Sequence, residues 1–346
     1  ADHDDRIIHI PIETSAICLY DVVDASNIQI TTYPYKEISQ FYPMSASFTQ
    51  LANGTRLLNT RYVNYWLTPE GAYIFHDPNR VIASKNVFSI LDQNWMPVNY
   101  QEMANPSPEE LPSKKIPECP FDGLEDIRIF NGDNNKQDDQ IFFIGTSINY
   151  SHTGSNRMVL GTYDLNTYSL HNCTLLDPPE DSYCEKNWAP ICRGAEGAQT
   201  DFIYRWNPYQ IIRVCDTPIL YEGEDGRKHP IRKTETVQSH KIASPLFHRF
   251  RGSTSFTPSI HFPDYLIGVV HFSQSDWPRN YYHALVLLDK ETRIPKKCTS
   301  VFTFCKPKNI EFCIGFSETA DAKYIFWISQ FDRDARMITV SIDEFN

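Results

Sequence analysis

Residues 121–130 read FDGLEDIRIF, and the order of residue types in this stretch fixes how the chain must run. Gly123 breaks the preceding loop, and Ile127, Ile129 and Phe130 supply the β-branched and aromatic side chains that favour a strand. Strand alternation over 124–130 would put Asp126 and Arg128 on one face and turn Glu125, Ile127 and Ile129 into packing. An acid beside a base on one strand face suits a polar, multi-hydroxyl ligand. An ordinary buried ion pair at a strand start would use the same residues, so the rest of the chain has to decide.

Working outward, apolar strands ending in aspartate recur as VFSILD (Asp92), LGTYDL (Asp164), IIRVCD (Asp216), ALVLLD (Asp289) and ITVSID (Asp343). They return at intervals of roughly 50 to 75 residues, the length of a four-stranded sheet with its loops. Five such units predict an all-β, five-bladed β-propeller, in which radial repetition leaves few open sheet edges. Residues 1–346 then form a single domain, with 1–50 an irregular lead-in that closes the propeller. Within the lead-in, strands are expected near Ile7 to Ile10 and Ser15 to Val22. Residues 55–95 read as a meander, 101–120 as a surface loop, 171–187 as a long polar loop and Glu222 to Lys241 as a charged surface loop. Aspartate is common in turns, and a pair of sandwiches is the competing architecture.

Composition agrees with an all-β chain. Its 346 residues are 41% hydrophobic and 13% aromatic, with 23 Pro, and convincing amphipathic helices are nearly absent. No run of about 18 apolar residues is present, which predicts no membrane-spanning helix. A formal net charge of −11 argues against nucleic acid as a partner, because phosphate backbones need a basic footprint. The nine cysteines show no CxxC pair, and the run ADHDDRIIHIPIE lacks the pattern of a secretory signal. Reduced thiols in a cytoplasmic protein are therefore expected. The sequons at Asn53, Asn149 and Asn172 are short enough to arise by chance.

Polar patches interrupt five of the apolar strands: GLEDIR (123–128), CEKNWAP (184–190), HRFRGSTSF (248–256), VVHFS with YYH (269–273 and 281–283), and ISQFDRD (328–334). Each falls where an innermost propeller strand would line the central channel. Together they offer acids (Asp126, Asp332), cations (Arg128, Lys186, Arg251), a histidine (His271) and amide or aromatic groups (Asn187, Trp188, Tyr282). Carboxylates with aromatic walls suit sugars, and clustered Lys and Arg suit phosphate. Taken singly, each patch has an ordinary structural explanation. The DxD at Asp332 to Asp334 would fit a metal-dependent transferase of the Rossmann type, but that fold needs an alternation of strands and helices missing here.

GLEDIRIF resembles the G-x-EDPR motif of glycoside-hydrolase family 130, the β-mannoside phosphorylases and mannosidases, which are five-bladed propellers. EKNWAP is similar to that family's [KR]-N-x-x-x-x-P segment, whose base and Asn meet sugar and phosphate. RGSTSF, YLIGVVHFS and YYHALVLLD resemble its G-x-x-P, Y-H-G and Y-x-x-x-x-x-LLD succession. IEFCIGFSETADAKYIFWISQFD stands in the place of its late Y-G-A-A-D strand, with Asp332 opposite that Asp. The ordered series spans roughly residues 55 to 340. Ile127 replaces the family's Pro, and Lys186 stands where phosphorylases usually have Arg. The IEFC-x-GF form is closer to propeller glycosyltransferases, including those of large DNA viruses.

The resemblance implies an inverting glycosyl transfer in which Asp126 acts as acid or base, its proton relayed through a sugar hydroxyl, with Glu125 holding it in place. Lys186, Arg251 and His271 would hold a phosphate or diphosphate leaving group, and Asp332 would bond sugar hydroxyls. The expected partners are a nucleotide sugar or sugar 1-phosphate donor and a glycan acceptor, with neither metal nor cofactor required. A glycoside phosphorylase or hydrolase acting on β-mannoside-like glycans is the close alternative. A glycan-binding propeller without catalysis is the other.

Overall fold

The computed structural model describes residues 7–10, 31, 33–115, 118–131, 140–192, 201–274, 280–304, 310–332 and 334–345, and the backbone alone at 2–3, 17–18, 28–30 and 32. Among these the chain is all-β, its helical content limited to short 3-10 turns at Pro245–His248 and Ile342–Phe345. The strands follow one another as antiparallel meanders. The first comprises Tyr42–Gln50, Arg56–Val63 and Ile82–Leu91, with Gln101–Met103 on its edge. The second comprises Glu125–Asn131, Ile141–Ser147, Arg157–Asp164 and Ser169–Asp177. Ala189–Pro190, Asp201–Trp206, Tyr209–Val214 and Lys228–His240 make the third.

The fourth meander pairs Arg251–Gly252 and Thr257–Pro258 with Tyr265–Gln274, then Asn280–Asp289, then Pro295–Cys298. The fifth runs Glu311–Glu318, Lys323–Gln330 and Asp334–Ser341. Its outer partner is Ile28–Thr32, so a strand from the start of the chain completes the last sheet. The lead-in is therefore not irregular throughout. Tyr42–Gln50 is a nine-residue strand that opens the first meander. Most of the strand expected at Ser15 to Val22 lies outside the described residues, apart from Ile17–Cys18 beside Phe302–Thr303.

The meanders stand in a ring. Tyr42–Gln50 lies against both Glu125–Asn131 and Glu311–Glu318, and contacts between the intervening meanders complete the circuit. Apolar clusters fill the gaps between neighbouring sheets. Phe130, Ile144 and Met158 of the second meander meet Trp188, Phe202 and Ile212 of the third. Trp327 and Ile325 of the fifth meet Ala46 and Leu58 of the first. Burying such faces on both sides of a sheet removes apolar surface from water at about 25 cal/mol per Å².

Three of the five recurrent aspartates, Asp92, Asp164 and Asp289, cap turns. Each follows or ends the third strand of its meander. Asp92 Oδ1 accepts the backbone N–H groups of Asn94 and Met96, at 2.8 and 3.0 Å. Asp164 Oδ1 accepts those of Asn166 and Thr167, and Asp289 Oδ1 those of Glu291 and Thr292. These side-chain caps fold the chain back toward the fourth strand.

All three expected loops contain a strand, beginning with Gln101–Met103 inside 101–120. Ser169–Asp177 covers part of 171–187, and Lys228–His240 is a thirteen-residue strand inside the supposed loop from Glu222 to Lys241. Lys228–His240 pairs with Tyr209–Val214 along one stretch and with Ser169–Asp177 along another. An outer strand keeps one face in water, so its charges are compatible with pairing. Among the described residues Cys119, Cys173, Cys184, Cys192, Cys215, Cys298 and Cys313 are free thiols.

The ring is closed by backbone approaches that exclude a Cβ. One added at Gly315 would stand 2.2 Å from the carbonyl oxygen of Ala46. Gly315→Ala should therefore lower stability by about 1–3 kcal/mol, read as a lower urea midpoint at unchanged slope.

Candidate functional site

One end of the ring encloses a cavity of about 400 Å³ lined by residues from all five meanders. Glu125, Asp126, Thr146 and Asn156 come from the second, Lys186 and Asn187 from the third, and His271 and Tyr281 from the fourth. Phe312 and Asp332 come from the fifth, while Arg61, Tyr65 and Tyr73 belong to the first.

The Glu125–Asn131 strand does not keep simple alternation. Its register with Ile141–Ser147 shifts between Glu125 and Arg128, and Asp126 has φ 50°. A bulge of this kind re-aims side chains. Glu125 therefore turns into the cavity beside Asp126 instead of into packing. Gly123, at φ +89°, makes the preceding turn, where a Cβ would meet the Ser84 carbonyl oxygen at 2.7 Å.

Arg128 sits beneath the cavity, almost wholly buried. Its guanidinium donates to the carbonyl oxygen of Asp126 at 2.8 Å, that of Ser253 at 2.9 Å and Asn187 Oδ1 at 3.0 Å. It supports the site from below and does not line it, contrary to the expectation that it shares a ligand-facing strand face with Asp126.

The carboxylates share a partner absent from the expected set. Arg61, 4% exposed, donates from Nη1 to Asp126 Oδ1 at 2.9 Å, and its Nη2 lies 3.4 Å from Glu125 Oε1. Asp332 Oδ2 accepts the Tyr65 hydroxyl at 3.1 Å. Burial pushes the Glu125 carboxyl above its ordinary range; Arg61 opposes this, while Asp126 and Asp332 add to it. Asp332 is likewise raised by burial, against the pull of Arg61.

The cavity lining also holds Lys186 and His271. Lys186 is exposed on its wall, on a turn shaped by Glu185, whose carboxylate accepts Trp188 Nε1–H at 2.9 Å and the Tyr204 hydroxyl at 3.0 Å. Arg251 pairs in register with His271, so the two side chains leave the same face of the sheet. The Arg251 guanidinium is tied at the rim to the carbonyl oxygens of His248 and Phe250 and is not part of the wall. His271 Nδ1 lies 2.8 Å from Ser253 Oγ. Burial, with the charges of His283, Arg128, Lys186 and Arg251, lowers its pKa well below the ordinary value. His271 faces the cavity as a hydrogen-bonding ring.

Tyr282 does not reach the cavity. It is buried against Phe272, ring centroids 5.1 Å apart, and the neighbouring Tyr281 lines the wall instead. Alternation along Asn280–Asp289 decides between the two, and the Y-x-x-x-x-x-LLD spacing counted back from Leu287 also falls on Tyr281. The DxD residues also separate: Asp332 faces the central cavity, while Asp334 lines a different one beside Tyr33 and Arg336. Among the described residues no group of three or more His, Cys, Asp or Glu has metal-binding geometry.

No protein-family model matches this chain, and no curated protein sequence matches it. Solved structures do. MPT-1, a GDP-Man-dependent mannosyltransferase from Leishmania mexicana, superposes with a TM-score of 0.52 at 11% identity, covering 90% of each chain. MPT-4, a mannose phosphorylase from Leishmania mexicana in complex with phosphate ion, gives 0.51 at 10% identity over 90% of this chain and 88% of its own. A glycosyl hydrolase from Bacteroides ovatus gives 0.52 at 12% identity over 88% and 85%. At these identities the likeness is one of fold.

The raised carboxyls make stability depend on pH in a defined direction. With folded-state values above the unfolded ones, Glu125 and Asp332 hold protons that the unfolded chain releases. Their contribution to stability is therefore largest at low pH and falls as pH rises from about 4 toward the raised values. Asp332→Asn removes one such group and relieves Glu125. The variant should show a shallower loss of urea midpoint over that range, and an equal or steeper loss would contradict the assignment.

Proposed function

We propose that the protein is a glycosyltransferase that moves a sugar from a nucleotide sugar or sugar 1-phosphate to a hydroxyl acceptor with inversion, on a five-bladed propeller in which each meander is one blade. The observation that carries this reading is the charge of the cavity lining. Glu125, Asp126 and Asp332 gather round Arg61, and Lys186 adds a solvent-exposed cation to the same lining. A donor of this class suits both, being a polyhydroxyl ring joined to an anion.

In this scheme the sugar hydroxyls bond Asp332 and Glu125, and the anion lies toward Lys186, with Arg251 adding long-range attraction. The acceptor oxygen forms a bond to the anomeric carbon while the carbon–oxygen bond to phosphate breaks. Its electron pair leaves on the phosphate oxygen, and the acceptor proton passes to the Asp126 carboxylate. Arg61, which holds Oδ1 of Asp126, orients that carboxylate. Charge on the leaving oxygen is stabilised by Lys186. Arg128 and His271 keep Asp126, Asn187 and Ser253 in place as supporting groups.

A phosphorylase is the same chemistry in reverse, with Asp126 as the acid. The structural likeness to a mannose phosphorylase and to a GDP-Man-dependent mannosyltransferase supports both directions and makes GDP-mannose and mannose 1-phosphate the first donors to try. A purely glycan-binding role accounts for the carboxylates but leaves Lys186 without a purpose.

Asp126→Asn should keep the fold and most donor affinity while turnover falls by about 10²- to 10⁴-fold. Lys186→Ala should instead weaken GDP-mannose binding by about tenfold through loss of a charge-assisted partner. Titration calorimetry beside single-turnover kinetics separates the two. Unchanged turnover in Asp126→Asn would remove Asp126 from the chemistry.

A further inference from the structure

The fifth meander turns between its second and third strands through Phe331 and Asp332, with Gln330 and Asp334 paired on either side. Both turn residues have left-handed backbones, with φ of 50° and 53°. Tight turns with two consecutive positive φ values favour Asn-Gly. A bulky side chain such as that of Phe331 is disfavoured there, so contacts from outside the turn have to hold it.

Those contacts come from the first meander. Between its second and third strands the chain leaves the sheet as a separate hairpin, Tyr65–Leu67 paired with Tyr73–Phe75. The Leu67 N–H donates to the Phe331 carbonyl oxygen at 3.2 Å, and the Tyr65 hydroxyl donates to Asp332 Oδ2 at 3.1 Å. On its other side the Phe331 N–H donates to the Ile310 carbonyl oxygen at 2.8 Å. The Phe331 side chain packs on a buried cluster that includes Met44, Val63, Tyr65 and Leu67. Hairpin and turn therefore hold each other through backbone, ring and phenol together.

We propose that Tyr65 is a positioning residue for the sugar: its hydroxyl holds Oδ2 of Asp332 and leaves Oδ1 to meet a substrate hydroxyl in the cavity. The inference rests on the proposed glycosyl transfer and adds to it the group that aims Asp332. A carboxylate on a loose turn would be ordered only by its substrate, at a cost in affinity. Here the strained turn, the hairpin and the phenol fix it beforehand. The Tyr65 hydroxyl and Arg61 favour the charged form of Asp332, against burial and the charge of Asp126. Glu125 and Lys186 are the other charged groups on the lining. Because the Tyr65 ring is packed among Val63 and Leu67, taking away its hydroxyl alone leaves the hairpin packed.

The test uses Tyr65→Phe, with Asp332→Asn to assign the Asp332 signal. Carboxyl-carbon NMR follows the titration of Asp332, and calorimetry follows mannose 1-phosphate and, separately, inorganic phosphate. In Tyr65→Phe the Asp332 midpoint should move to higher pH, and mannose 1-phosphate should bind about tenfold more weakly with phosphate affinity unchanged. An Asp332 midpoint that stays at its wild-type value overturns the inference. So does mannose 1-phosphate bound within about twofold of the wild-type affinity. An equal loss for mannose 1-phosphate and phosphate overturns it too, because Tyr65 would then shape the cavity as a whole. A raised midpoint in a protein whose wild-type form binds no mannose 1-phosphate would keep Tyr65 as the holder of Asp332 and remove the sugar 1-phosphate reading.

Discussion

The buried guanidinium of Arg128 joins the fold to the site. It reaches the Asp126 carbonyl oxygen in its own strand, the Asn187 side chain in the third meander and the Ser253 carbonyl oxygen in the fourth. Two of those partners, Asp126 and Asn187, have left-handed backbones, with φ of 50° and 61°. Such conformations cost free energy in residues other than glycine and persist only when their surroundings hold them. A cation at the centre of the ring, surrounded by neutral oxygens, meets that requirement at both positions.

The same economy of space is seen beside it. A Cβ at Gly252 would stand 2.2 Å from the Asn187 carbonyl oxygen, so the fourth meander passes the third with no side chain between them. The bulge that exposes both Glu125 and Asp126 thus lies where three meanders converge. Arg61 then sets the electrostatics above it. It is buried, it contacts both acids, and it opposes the rise that burial imposes on Glu125 and Asp332. The result is three carboxylates gathered near one buried cation, with Lys186 on the same lining, in a cavity of about 400 Å³.

Much of the architecture was legible because turns leave a signature. The aspartates at 92, 164 and 289 cap the chain reversals after third strands, which is why they recur at the spacing of the meanders. Lys228–His240 was hidden for the opposite reason: an outer strand may carry charge at alternate positions and then reads as a loop. In the site, Asp126, Lys186, Asn187, His271 and Asp332 all line one cavity. Arg128, Tyr282 and Arg251 do not, because a bulge, a strand's parity and two backbone carbonyls direct them elsewhere. Arg61 lies inside LLNTRYVNYWL, a run that otherwise reads as core. Its alternation with Asn59, which is also buried and polar, was the available signal.

The central claim is that the carboxylates and Lys186 divide a sugar donor between them. A crystal structure of the protein with GDP-mannose measures that division directly. The account predicts the diphosphate within hydrogen-bonding reach of Lys186, mannose hydroxyls on Asp332, and the anomeric carbon facing Asp126. A nucleotide bound outside the cavity, or a diphosphate lying against Glu125 and Asp332, would contradict it.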